Sequence, residues 1–474
     1  MLNELKNRIF ARSNPPRPHS VPHWRGRWLG VERAQDIYHI NMRTTFLKSI
    51  LVAALLAWWG TDVFAQADAD SPYSLFGVGQ VRDKSMNVRL KGMGGTSNAM
   101  FGIGMINSEN PASYAKIDSL AFLFDAGIYF KTATYSTATL SERSANASFD
   151  YVAMAFGLTS WWKLALGVQP FSTTAYTMIV DGNNPDVGSY ATRFKGTGGL
   201  NQAYIGTAFK LGKHFAIGAN AYYVFGNTKT ETTLYFPDSL YMIGTRRNLD
   251  LMVSSFMFDY GLLFDANLGN DMKLSLGLTY TQPVRLRGKQ TLFVRSIEAD
   301  DETEIEYIID TLVNNTTVTR TKMPQGVGFG IALQKNEQWT IAADFNWMQW
   351  SKFAREGVTD PLQDSWNASL GFEFTPSHSN ISGYFRKMSY RIGGFYEHGF
   401  INLLGSDGEN HSINKFGVNV GASFPLPKTL SKINLALEGG QYGTREGGLI
   451  QERYFKVNVG VSVFEHWFMK RKYR

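Results

Sequence analysis

The sequence predicts an all-β protein: an antiparallel transmembrane β-barrel of about fourteen strands with an N-terminal hatch in its lumen. Three observations predict it. Segments of about ten residues with period-two alternation and one apolar face recur from residue 119 to residue 474. The connections between them alternate between short turns and long polar stretches. The composition, 46 Gly and 14% aromatic residues in 474, suits a strand-rich barrel better than an α/β enzyme.

Along the chain, residues 1–41 read as an extension ahead of a true start at Met42. Residues 42–65 read as a secretory signal peptide. Arg43 and Lys48 form its charged region, residues 50–59 its apolar core, and Val63-Phe64-Ala65 a cleavage site before Gln66. The apolar core is too short to span a bilayer. The chain has no cysteine, which excludes a lipid-anchored cysteine, disulfides, zinc–thiolate sites and thiol catalysis. The destination is the periplasm, the outer membrane or the exterior. The formal net charge is +7; removing the +4 of residues 1–41 (seven basic, three acidic) and the +1 of residues 42–65 (two basic, one acidic) leaves +2. A mature chain that close to neutral offers no support for nucleic-acid binding.

Residues 66–118 form the expected hatch. Gly92, Gly94, Gly95, Gly102 and Gly104 let the backbone bend and approach other chain closely. Pro111 fixes a turn and pushes Asn110 towards an extended conformation, and Ala112 is small enough for a confined space. Met93, Met100, Phe101 and Met105 are too apolar for a free tail and are candidates for an adaptable ligand pocket. The physical need for a hatch comes from the barrel: about fourteen strands enclose a lumen too wide for inward side chains to fill.

The barrel itself occupies residues 119–474, with strands expected near Leu120, Ala147, Lys163, Leu200, His214, Ser255, Asp271, Gln325, Gln338, Asp364, Tyr390, Ile413, Lys432 and Arg453. Around His214, Phe215, Ile217, Tyr223 and Phe225 oppose Ala216, Gly218, Asn220 and Tyr222. Near the end, Phe455, Val457, Val459 and Val461 oppose Lys456, Asn458, Gly460 and Ser462. Short turns are expected at residues 159–161, 211–213, 268–270 and 335–337, and long polar loops at 173–199, 227–254, 283–324, 348–363, 398–412 and 441–452. Trp161, Trp162, Trp347, Trp350, Trp366 and Trp467 near segment ends fit interfacial girdles. A secreted β-sandwich also alternates, but it does not need this strand length or this rhythm of connections.

The stretch RLKGMGGTSNAMFGIGMINSENPASYA, residues 89–115, resembles the hatch of the FadL/TodX outer-membrane transport family. That family has a Gly-rich start and then an Asn-Pro-Ala triplet just before the first strand, here Asn110, Pro111 and Ala112. SPYSLFGVGQ, residues 71–80, and the basic ending at residues 467–472 look like the Bacteroidetes-type variant. The resemblance implies a fourteen-stranded barrel in the outer membrane of a Gram-negative bacterium. It implies passive uptake of hydrophobic compounds such as long-chain fatty acids, with the hatch gating a path that leaves sideways through the wall. PorV-like relatives imply an alternative, a partner of the type IX secretion translocon. No cofactor and no catalysis are expected. The expected partners are outer-membrane lipid and a hydrophobic small molecule.

Other motifs carry less. No Arg or Lys is placed to hold a carboxylate, although Arg285 and Arg287 stand at a strand end. His214, His378, His398, His411 and His466 have no Ser or acid at informative spacing, so no triad is expected. The acidic run at residues 298–306 lacks the spacing of a calcium loop. Lys91-Gly-Met-Gly-Gly-Thr lacks the context of a phosphate loop, and no metal site is expected. Lys470, Arg471, Lys472 and Arg474 suit either a membrane surface or a solvated tail.

Overall fold

Strands that put an apolar side chain outward and a small or polar one inward close into a ring when every strand finds two neighbours. The computed structural model describes residues 71–82, 87–102, 104–237, 242–299, 306–336, 338–355, 360–377, 379, 382–427 and 429–466. The expected extension, the signal peptide, His378 and the basic ending lie outside the described residues, as do the start of the hatch at 66–70 and most of the acidic run.

Fourteen strands form the wall. They are β1 (Ala121–Ser136), β2 (Ser141–Phe156), β3 (Trp162–Thr173), β4 (Gly188–Leu211), β5 (Phe215–Tyr235), β6 (Gly244–Gly269) and β7 (Met272–Thr281). They continue with β8 (Gly326–Lys335), β9 (Trp339–Met348), β10 (Ser365–Phe374), β11 (Ser389–His398), β12 (Lys415–Pro425), β13 (Lys432–Tyr442) and β14 (Gln451–His466). Consecutive strands pair antiparallel. β1 pairs with β14 from Ala121↔His466 to Ser136↔Gln451, which closes the barrel. Each of the fourteen expected segments falls on one of these strands.

The alternation has the sense of a membrane barrel. On β5, Phe215, Ile217, Tyr223 and Phe225 are exposed outward while Ala216, Asn220 and Tyr222 are buried in the lumen. Every wall strand carries such outward apolar side chains, from Ile128 and Phe130 on β1 to Phe455 and Val461 on β14. Among the described residues no helix is long and apolar enough to cross a membrane, so any crossing is made by strands. Trp161, Trp162 and Phe209 stack at the short-turn end of the barrel. Trp350 departs from the expected girdle: it is buried and stacks on Phe400, ring centroids 4.4 Å apart.

Three expected loops are strand instead. Residues 173–199 hold the Tyr176–Asn184 extension of β3 and the upper part of β4. The described residues of 227–254 lie mostly in the upper parts of β5, up to Tyr235, and β6, from Gly244. Residues 283–324 form a hairpin, Val284–Ala299 paired with Glu306–Met323, that continues β7 and β8 beyond the apolar belt. Several strands are therefore far longer than ten residues; β6 has 26. The reason is the surroundings. Above the belt the outer face meets water in place of lipid, so the outward apolar side chains that mark a membrane strand give way to polar ones although the backbone stays extended. The described residues of 348–363, 398–412 and 441–452 are mostly irregular, with short 3₁₀ turns, a two-residue strand at Ala354–Arg355 and one small hairpin, as expected of loops.

Inside the ring lie the described residues of 71–117. Their regular pieces are single turns, Pro72–Leu75, Val88–Lys91 and Pro111–Lys116, and a two-residue strand, Gln80–Val81. Each turn starts at a side-chain cap: Ser71 accepts from the Tyr73 N–H, Asn87 from Arg89 and Asn110 from Ala112.

Candidate functional site

The Asn110-Pro111-Ala112 triplet has a local logic. Asn110 is extended (φ −120°) and caps the turn, and Pro111 takes the first helical position, where no N–H is needed. The Asn110 amide also donates to the carbonyls of Asn98 (2.5 Å) and Leu262 (3.3 Å), tying the hatch to itself and to β6. Behind the triplet stand wall glycines. A Cβ at Gly218 or Gly261 would overlap Pro111, Asn110 or Ala112.

This pattern runs around the lumen. Gly277 faces the Asn98 carbonyl, Gly371 and Gly393 face Met93, Gly421 faces Gly92, and Gly460 faces Val88. Inward glycines on seven strands, β5, β6, β7, β10, β11, β12 and β14, thus let the hatch backbone lie directly on the wall. Gly94 needs both its freedoms. Its φ is +71°, and a Cβ there would sit 2.6 Å from the Gly394 carbonyl oxygen. Gly95 is also left-handed (φ +81°), whereas Gly92 is an ordinary helical residue that needs only the space.

Inward carboxylates fasten the hatch. Asp125 on β1 accepts from Asn87, Asp150 on β2 pairs with Lys91, and Asp265 on β6 with Lys116. Asp344 on β9 accepts from the backbone N–H groups of Ser97 and Asn98 (2.6 and 2.8 Å). Glu373 on β10 takes a two-pronged contact from Arg89 (2.6 and 2.9 Å) and a further bond from Arg391. Sequence reasoning missed all five acids. Their available signal is an acidic residue in the inward phase of a membrane strand, where it needs a partner.

Met93, Met100 and Met105 are fully buried with Leu90 and Ala99 against Ala332 and Ala342, and Phe101 packs at the margin. The Phe101 ring lies under the ammonium groups of Lys116 and Lys273, 5.6 and 4.7 Å from the ring centroid. This knot joins hatch to wall, and none of the four lines either cavity described next.

The wall has one short seam. β2 and β3 pair only from Val152↔Val168 to Phe156↔Leu164, five residue pairs. The next shortest contacts, on either side of β11, run nine pairs. Above the seam Asp150 is the extra residue of a β-bulge opposite Gly127 and Ile128, which aims its carboxylate at Lys91. Pro170 on β3 offers no N–H, and the register slips between Pro170 and Ser172. The hatch fills the vacated edge: Gln80 pairs with Thr173 and Val81 with Ser172, where β2 would otherwise lie.

Beside that patch is a cavity of about 190 Å³. Val81, Arg82 and Glu109 of the hatch line it, with Phe171, Met257, Met348, Trp350 and Phe400 on its apolar side. A cleft of about 70 Å³ adjoins it, sharing Gln80, Val81, Arg82, Lys415 and Tyr442, and reaches Asp150, Pro170 and Thr173 at the seam. Lys91, Lys131 and Lys456 also line this cleft with Arg82, Lys415, Asp150 and Glu452. Lys91 pairs with Asp150, Lys131 with Glu452 (2.8 Å) and Arg82 with Glu109 (2.5 Å), so these cations are engaged within the protein. They sit far apart in sequence: Lys131, Lys415 and Lys456 each read as one inward polar position of a different strand, and Lys91 ends a turn of the hatch. Arg285 and Arg287, the sequence candidates, lie instead on the outer surface of the extended hairpin. Among the described residues no cluster of three His, Asp or Glu is arranged to hold a metal. His411 contacts Asp407 (2.8 Å) in a loop, apart from the lumen.

A family model described as BamG matches residues 46–474. No curated protein sequence matches the chain. Solved structures share the fold. A FadL homologue from Pseudomonas aeruginosa superposes with a TM-score of 0.53 at 11% identity, covering 82% of this chain and 100% of its own. The Pseudomonas putida toluene transporter TodX gives 0.51 at 16% identity, covering 80% and 98%. The Ralstonia pickettii toluene transporter TbuX gives 0.51 at 14% identity, covering 80% and 97%.

Proposed function

The chain belongs to the BamG family, and from that premise we propose that it is an outer-membrane barrel through which small hydrophobic compounds pass, entering the lumen and leaving through the β2–β3 seam. The observation that carries the reading is the seam, backed by the hatch strand and adjoining a cavity with an aromatic and methionine wall. A lateral exit delivers an apolar solute into lipid without releasing it into water. Two of the solved neighbours, TodX and TbuX, are toluene transporters, which accords with the reading. The cavity's size narrows the solute. About 190 Å³ exceeds the roughly 150 Å³ that holds a benzene ring and falls short of the roughly 300 Å³ where drug-sized sites begin. One aromatic ring fits; a long-chain fatty acid has to extend into the cationic cleft. We assign the protein no catalysis.

Calorimetry on the purified full chain tests this, with toluene and palmitate as probes. Saturable binding of toluene, lost when Met257→Trp fills the cavity, is expected. Saturable palmitate binding that depends on Lys131 and Lys415 would extend the substrate class to acids. Absence of binding by either probe overturns the conduit.

A second reading is favoured by how firmly the hatch is held, by carboxylates on five wall strands. Here the barrel is a fixed partner within an outer-membrane machine. The family's name points to an assembly setting, and the type IX secretion translocon is the other candidate. A mild-detergent pull-down that returns a stoichiometric outer-membrane protein and an empty lumen favours this reading.

A further inference from the structure

The hairpin that continues β7 and β8 has an unusual foot. Arg285 stands directly opposite Lys322, and Arg287 directly opposite Arg320. Lys289 follows on the same face, opposite Val318. Leu286, Thr319 and Thr321 are buried towards the lumen, so these five cations point outward; four are exposed and Lys322 is half-buried. Among the described residues none of the five has a carboxylate within ion-pair reach. Like charges directly across a ladder are unfavourable unless something external compensates them.

Their height says what compensates them. The outward side chains just below are apolar: Leu278 and Tyr280 on β7, Val327 and Phe329 on β8. Arg285 is five residues beyond Tyr280, about 16 Å along a strand and roughly 12 Å in height at the usual tilt. That is the level of lipid headgroups above an apolar belt. Three guanidinium groups there present paired N–H donors suited to phosphate oxygens.

We propose that the outward foot of the hairpin, Arg285, Arg287, Lys289, Arg320 and Lys322, binds the phosphate groups of outer-leaflet lipid. The inference rests on the membrane reading of the belt, and its test separates the two. A chain that stays monodisperse without detergent sinks the membrane reading itself.

The measurement is thermal unfolding of the full chain in non-ionic detergent with a chelator, against added phosphorylated lipid A, dephosphorylated lipid A and inorganic phosphate. The native protein is expected to gain a few degrees of Tm with phosphorylated lipid A only. Arg285→Gln, Arg287→Gln, Arg320→Gln and Lys322→Gln together should lose that gain, with at least about a tenfold weaker apparent affinity. The unliganded Tm of this variant should be equal or higher, because the repulsion is gone. Should the fourfold variant fail to fold, Arg287→Gln with Arg320→Gln alone should halve the gain or more. The proposal is overturned by a variant that keeps the gain, by a lower unliganded Tm in the double variant, or by an equal gain from dephosphorylated lipid. An equal gain from inorganic phosphate makes it a general anion site and equally overturns the lipid assignment.

Discussion

Gly277 shows how a single residue divides between what sequence tells and what it hides. A glycine inside a strand pattern announces that another backbone comes close, and the close neighbour is the Asn98 carbonyl of the hatch. The need was legible in the sequence; the partner, 179 positions away, was not. Arg89 and Glu373, 284 positions apart, make the same point for charge. Gly277→Val should therefore act at the hatch and not on the barrel. The new side chain would overpack the contact, costing about 1–3 kcal/mol, and should lift Asn98 off the bonds it and Ser97 make with Asp344. Limited proteolysis of the folded protein should then cut within residues 96–108 while the barrel still migrates as a folded species. Resistance equal to the native protein would mean the wall gives way instead. The methionines belong to the same lesson. Met93, Met100 and Met105 have the chemistry of an adaptable pocket lining, and the same flexible side chains fill the irregular space between hatch and wall.

Among the elements, the membrane strands were legible and their extensions were not. An apolar outer face marks β5 from Phe215 to Phe225, but from Asn227 to Tyr235 the strand reads as a polar loop, because water replaces lipid outside it. The seam was also hidden. Pro170 marks a strand with a missing donor, but nothing in the sequence says that β2 and β3 part above it, or that Gln80 and Val81 take the empty edge. That edge offers a direct test of lateral passage. Arg82 donates its N–H to the Phe171 carbonyl (3.2 Å), so Arg82 and Phe171 form a hydrogen-bonded pair and Val81 and Ser172 the closer non-hydrogen-bonded one. Such a pair brings its Cβ atoms near disulfide distance. The chain has no cysteine of its own, so a bond formed there is the only one. Val81→Cys with Ser172→Cys should block toluene uptake when oxidised and restore it on reduction. Uptake indifferent to the bond would exclude the seam as the exit.

Across the whole molecule, the conduit and the fixed-partner readings differ in where stability lies. Away from the β2–β3 seam the barrel wall is a continuous ladder without a free edge, and its amides there should open only with global unfolding. The hatch is attached in two ways. Residues 87–117 are held by acids from five strands and by the packed methionine knot. Residues 71–82 hold to β3 and its extension by a few bonds, such as Ser172 to the Val78 carbonyl (2.7 Å) and Ser71 N–H to the Ala175 carbonyl (3.3 Å), and Arg82 pairs with Glu109 (2.5 Å) inside the hatch. A conduit needs the segment that closes the seam to open easily while the rest of the hatch stays anchored. Hydrogen exchange of the detergent-solubilised protein should then show residues 78–82 exchanging at least about tenfold faster than residues 87–117, an opening free energy lower by about 1.4 kcal/mol or more. Equal, slow exchange throughout residues 71–117 would describe a permanently sealed barrel. The seam would then be a structural irregularity, and the role left to the protein would be that of a partner presenting its surface, and not its lumen, to an outer-membrane assembly.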